Sequence, residues 1–143
     1  MDYTQEELIE AIRISEDKIN AHNSYQRGIS DCAALLVEYD QALRGPQSKA
    51  ELGFTWKTTR EFLVKLRRHG FTVSEYLEHC GYEIIKNKRP LVGDVAFMDG
   101  AFIASPRGWI STTETNGGVV VAKQLMYLEL KMSVIARPKR NNT

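Results

Sequence analysis

The stretch Tyr25-Gln26-Arg27-Gly28-Ile29-Ser30-Asp31-Cys32, followed by Ala33, Ala34, Leu35 and Leu36, puts a cysteine in the first turn of an apolar helix. Unpaired backbone N–H groups and the positive helix end stabilise a thiolate there, so Cys32 is a candidate nucleophile. A small buried thiol that does no chemistry would suit the same position, because cysteine is among the most buried residue types. A nucleophile also needs a base within hydrogen-bond reach. The chain has three histidines, His22, His69 and His79, and none after residue 79. His69 precedes Gly70 and His79 lies near the end of a short helix; both suit the negative end of a helix, a structural role. His22, in a loop ahead of Cys32, is the remaining candidate base.

Other chemistries lack their residues. The second cysteine, Cys80, and Cys32 are too few for a disulfide framework, and no CxxC or Cys/His cluster has zinc-ligand spacing, so no metal is expected. Gly117-Gly118 has neither the lysine nor the spacing of a phosphate cradle, and no GxGxxG occurs, so no nucleotide cofactor is expected. Glu6-Glu7 and Glu16-Asp17 read as solvated carboxylates on a helix face. Nineteen Lys plus Arg against eighteen Asp plus Glu leave a net charge of +1, without the basic stripe that phosphate binding requires. Nucleic acid is therefore not expected as the primary partner. Arg137, Lys139 and Arg140, beside Pro138 and the polar Asn141, Asn142 and Thr143, read as a solvated tail. No window approaches the ~18 apolar residues of a membrane span, and the acidic MDYTQEELIE differs from a signal peptide, which points to synthesis in a cytoplasm.

Elements able to position Cys32 follow from periodicity. At 143 residues, with 43% hydrophobic and 26% charged, the chain reads as one α+β domain: about 1–80 mainly helical, 82–137 mainly strand, 138–143 a polar tail. Thr4 with Glu7 makes a capping box, and Leu8, Ala11, Ile12, Ser15 and Ile19 share one helical face over about 5–20. Ser30 or Asp31 caps a second helix that carries Ala33, Ala34, Leu35, Leu36, Val37, Tyr39 and Leu43 and ends at Gly45-Pro46. Thr58 with Glu61 caps a third, closed by Gly70, and Ser74 starts a short fourth, closed by Gly81. From there the runs 82–85, 95–98, 101–104, 109–113, 119–122 and 130–136 are β-branched or aromatic. Asp99-Gly100 is the strongest hairpin signal among them. Helices first and strands second predict an antiparallel sheet. Phe97, Phe102 and Trp109 fall on adjacent strands as core aromatics or as a groove lining, while Phe54 and Trp56, just before the third helix, form a hydrophobic staple or plug one end of the core.

Tyr25-x-x-Gly28 followed by Asp31-Cys32 at a helix start, with Gly93-Asp94 opening a strand, resembles the NlpC-type branch of papain-like cysteine peptidases. Closer still is the similarity to small phage-encoded proteins of that superfamily found among tail and virion genes, carried here by Gly28, Asp31, Cys32, Gly93, Asp94 and the run 132–138. The resemblance spans about residues 20–137. It implies a papain-like fold, Cys32 at the nucleophile position, Asp31 beside it, Tyr25 near the thiolate and Asp94 at the start of the histidine-bearing hairpin. It also implies a histidine on the strand after the Gly-Asp strand, where this chain reads Gly100-Ala101-Phe102-Ile103-Ala104. The expected base is missing. The resemblance thus implies a scaffold without its chemistry: a virion component of the tail, neck or injection apparatus, with other virion proteins as partners in a symmetric ring. A cysteine hydrolase of cell-wall peptides using Cys32 with His22, and a host-directed modulator that binds a protein, are the competing expectations.

Overall fold

The computed structural model describes residues 2–22, 32–50, 59–86, 88–97, 100–112, 118–121 and 134–140. It is an α+β arrangement of four helices, α1 (Gln5–Asn20), α2 (Cys32–Arg44), α3 (Thr59–Arg68) and α4 (Val73–His79), and six strands. The strands are β1 (Tyr82–Ile84), β2 (Val95–Phe97), β3 (Ala101–Ser105), β4 (Gly108–Thr112), β5 (Val119–Val121) and β6 (Val134–Pro138). All neighbours pair antiparallel in the order β1-β6-β2-β3-β4-β5, so the last strand inserts between the first two.

α1 starts as its sequence dictates: the Thr4 hydroxyl accepts the Glu7 N–H while the Glu7 carboxylate accepts that of Thr4, and Ala11, Ile12, Ser15 and Ile19 are buried. α4 begins earlier than expected. Thr72, rather than Ser74, is its cap, because Thr72-x-x-Glu75 closes the same reciprocal pair of bonds. The strand register then builds the core. Ile84, Ala136, Val95, Ile103, Ile110 and Val121 are aligned across all six strands, and with Leu35, Tyr39, Ile12 and Ile19 they form one apolar cluster. The alternate positions face the other way, where Ala96 and Trp109 are buried among Phe102, Ala104 and Ile135. Phe97 belongs to neither cluster and stacks on Phe62 of α3 at 6.4 Å. Trp109 and Phe102 are thus core side chains; Phe54 and Trp56 lie outside the described residues.

α1 and α2 run antiparallel, as Tyr3, just before α1, lies under the Arg44 guanidinium at the end of α2. α2 packs on β3 and β4 and ends over β1 and β6. A buried ionic network fixes that end. The Asp40 carboxylate, 1% exposed, accepts from Arg44 Nε at 2.9 Å, Tyr82 Oη at 2.8 Å and Ser48 Oγ at 2.6 Å. Arg44 then donates Nη1 to the Lys139 carbonyl and Nη2 to that of Gly81. Gly81 has φ +96, and a Cβ there would lie 2.8 Å from Arg44 Nη1, so only glycine leaves room for the guanidinium.

Pro138 to Arg140, which read as the start of a polar tail, are docked instead. Pro138 pairs with Tyr82, the Lys139 N–H donates to Gly81, and the Arg140 guanidinium stacks on Tyr3 and pairs with Glu7 at 2.6 Å. Glu16, read as solvated, pairs with Arg107 of the β3–β4 turn. The reason is non-local in each case, since a charge run carries no signal of its distant partner.

Removing one member of a buried ion pair strands the other charge, at about 3–5 kcal/mol. Asp40→Ala is therefore expected to lower the urea midpoint sharply. Arg13→Ala, which breaks exposed pairs with Glu10 and Asp17, leaves it within error. Equal midpoints for the two variants would contradict the network's role.

Candidate functional site

Cys32 is the first residue of α2, as its sequence context requires. Because Arg44, at the far end of that helix, reaches Gly81 just before β1 and Lys139 just after β6, while the helix packs on β3 and β4, the Cys32 end lies on the β3 and β4 side. Asp31 and Tyr25 lie outside the described residues. His22 sits just past the C-cap of α1, exposed, its backbone N–H on the Ile19 carbonyl. The antiparallel helix pair puts His22 and Cys32 at the same end of the helical layer, the end where Asn20 Oδ1 accepts the Val119 N–H of β5 at 2.8 Å.

The other histidines serve structure. His69 Nδ1 lies 2.9 Å from the Lys65 carbonyl in the last turn of α3, a contact favoured at the negative helix end. His79 closes α4 with its ring 5.0 Å from Phe71, and α4 packs on β1 and β6, away from the start of α2.

Gly93-Asp94 is densely bonded. Gly93 has φ +97, and a Cβ there would lie 2.7 Å from Leu8 Cδ1, so α1 can approach only a glycine. Its N–H donates to Ala104 on β3 and its carbonyl accepts from Tyr39 Oη at 2.7 Å. Asp94, 1% exposed, accepts the Leu91 N–H at 2.8 Å and binds Arg137 through Nε at 2.9 Å and Nη2 at 3.0 Å. The dipeptide thus locks β2 to β3, to β6 and to both long helices. Asp94 fixes the turn that opens β2 and anchors Arg137 of β6.

β3 follows. Ala101, Ile103 and Ser105 share the face turned toward α2; all three are buried, and the Ser105 hydroxyl is committed to the Gly108 carbonyl at 2.6 Å. No side chain of this strand can take a proton near neutral pH.

Sequence reasoning missed Asp40, Arg44 and Arg137. The i,i+4 spacing of Asp40 and Arg44 beside Tyr39, on an otherwise apolar face, is the signal that could have found the first pair. Arg137 carried only the hint of a cation inside the apolar run 134–138. An open groove of about 460 Å³, lined by Tyr3, Leu8, Leu91, Val92, Asp94 and Arg137, lies at the N-terminal end of α1. That is the end away from His22, so groove and candidate thiol do not coincide. Among the described residues no three His, Cys, Asp or Glu side chains converge as a metal site, and no helix is long and apolar enough to cross a membrane. Neither a protein-family model, nor a curated protein, nor a solved structure matches the chain.

Cys80, 2% exposed, is held to its proton by burial, which pushes the thiol up to about 11. Burial raises Tyr82 and Tyr39 as well, with Asp40 and Asp94 adding to it. Folding then favours the protonated forms. Their contribution is complete below the unfolded values, about 8.5 for the thiol and about 10 for the phenols, and is lost as pH rises above them. The urea midpoint should hold to about pH 8.5 and fall steeply toward pH 11, each group adding up to about 1.4 kcal/mol per pH unit. A midpoint unchanged to pH 11 would contradict the burial of these groups.

Proposed function

We propose that this chain is a non-catalytic, papain-like structural or assembly component of a bacteriophage virion, in the tail, neck or injection apparatus. One observation carries the loss of chemistry: β3, the strand after the one that Gly93-Asp94 opens, presents Ala101, Ile103 and Ser105 toward the helix that Cys32 opens. In the enzymes that the chain resembles, this strand bears the histidine. The support for the scaffold is its layout, a cysteine-headed helix packed on an antiparallel sheet with a Gly-Asp turn opening the preceding strand. The assignment to a virion rests on the resemblance of Gly28, Asp31, Cys32, Gly93, Asp94 and the run 132–138 to phage tail-gene products. Without a base, helix-end stabilisation leaves only a mildly acidic thiol.

A cysteine hydrolase is the second reading, favoured by the placement of His22 at the Cys32 end of the helical layer. A protein-binding modulator of the host is the third.

Fractionation separates them. A virion part co-purifies with particles at a fixed copy number, as read by quantitative mass spectrometry; recovery only in the lysate supernatant would overturn the assembly reading and leave the modulator. The hydrolase requires the purified chain to release fragments from peptidoglycan, with loss in both Cys32→Ala and His22→Ala. The assembly reading predicts no release from wild type or from either variant.

A further inference from the structure

α3 rests on the body through Phe62 and the buried Leu66, and its second face is exposed, with no contact to it among the described residues. Arg60, Leu63, Val64, Arg67 and Arg68 recur at helical spacing along that face and are all exposed, Leu63 at 38% and Val64 at 43%. Lys65 on its flank is paired with Glu61, whereas Arg60 and Arg68 form no ion pair among the described residues. The pattern is cationic at both ends and apolar between. A phosphate chain would use the arginines but would leave Leu63 and Val64 without a partner. A helix with carboxylates around an apolar side chain uses both, and α1 of the same sequence presents one: Glu6, Ile9, Glu10 and Asp17 are exposed along its outer face, with Ile9 at 37% and Arg13 as the single cation among them, pairing with Glu10 and Asp17 so that the face keeps a net charge of −2.

The two faces lie at opposite ends of β2. α3 reaches Phe97 at one end, and α1 reaches Gly93 just before the other. Within one molecule they do not meet, and a copy joined through one face keeps the other open. From this charge and apolar complementarity we infer that the partner of α3 is a second copy of the chain: the Arg60/Leu63/Val64/Arg67/Arg68 face docks on the Glu6/Ile9/Glu10/Asp17 face of the next copy. Such a contact joins two different faces, and repetition closes a ring or extends a filament. The inference deepens the assembly reading and rests on it. Its readout is self-association of the purified chain, so a strictly monomeric chain found in particles would overturn this inference alone. An assembling chain absent from particles would overturn the assembly reading alone.

The experiment is sedimentation velocity of the full chain at about 50 mM and about 500 mM salt, because interactions between exposed charges weaken as the screening length shortens. Wild type should exceed dimer mass with rising concentration at low salt and dissociate at high salt. Arg67→Glu with Arg68→Glu should be monomeric, as should Glu6→Lys with Glu10→Lys, each retaining the wild-type circular dichroism spectrum. Mixing the two variants should restore assembly, since each reversed face then meets a complementary one. Leu63→Asp, which keeps every arginine, should also be monomeric. A wild type that stays monomeric, assembly indifferent to charge reversal, or a failure of the mixed variants to associate would overturn the inference. So would a monomer that binds a DNA duplex through Arg67 and Arg68, which would make the face a phosphate site.

Discussion

The fold depends on the Asp40 carboxylate having no access to water. A buried charge is tolerated only when its lone pairs are filled and its partner is itself satisfied. Arg44, Tyr82 and Ser48 fill Asp40, and the carbonyls of Gly81 and Lys139 absorb the rest of Arg44. The network therefore ties α2 to the segment before β1 and to the segment after β6, which are separated in sequence by most of the sheet. Asp94 applies the same rule along the next seam, where Arg137 of β6 and the Leu91 N–H close it. Both carboxylates are occupied by structure.

These constraints determine what surrounds the start of α2. With its far end pinned over β1 and β6, and its middle tied through Tyr39 to Gly93, α2 has one orientation across the sheet, and its Cys32 end lies on the β3 and β4 side. β3, on which α2 packs, reads Ala-Phe-Ile-Ala-Ser. The histidine closest in fold is on another element, at the exposed end of α1.

Local structure was legible in the residues, and long-range partnership was not. Capping boxes, the 3.6 periodicity of α1 and the β-branched runs gave elements and fold class because each is written within a few residues of itself. Thr72 was passed over for Ser74 because both can cap and only the reciprocal Glu75 bond decides between them. Insertion of β6 between β1 and β2 carries no local mark, nor does the pairing of Arg137 with Asp94 across the sheet. Arg137, Lys139 and Arg140 therefore looked like a solvated end, although all three are held by acids or carbonyls on other elements. At the candidate site, the helix-start cysteine and the Gly-Asp turn were legible as motifs. The alignment of His22 with the Cys32 end required the antiparallel helix pair.

Whether Cys32 has a base is read most directly from its ionisation. The ¹³Cβ chemical shift of Cys32 in the folded chain reports thiol and thiolate separately, and Cys80 does not interfere because burial holds its thiol up to about 11. The account predicts a Cys32 midpoint close to the free-thiol value of about 8.5, lowered only modestly by the helix start and unchanged in His22→Ala. A midpoint below about 6 that returns to the free value in His22→Ala would show a paired, activated thiolate and contradict the account.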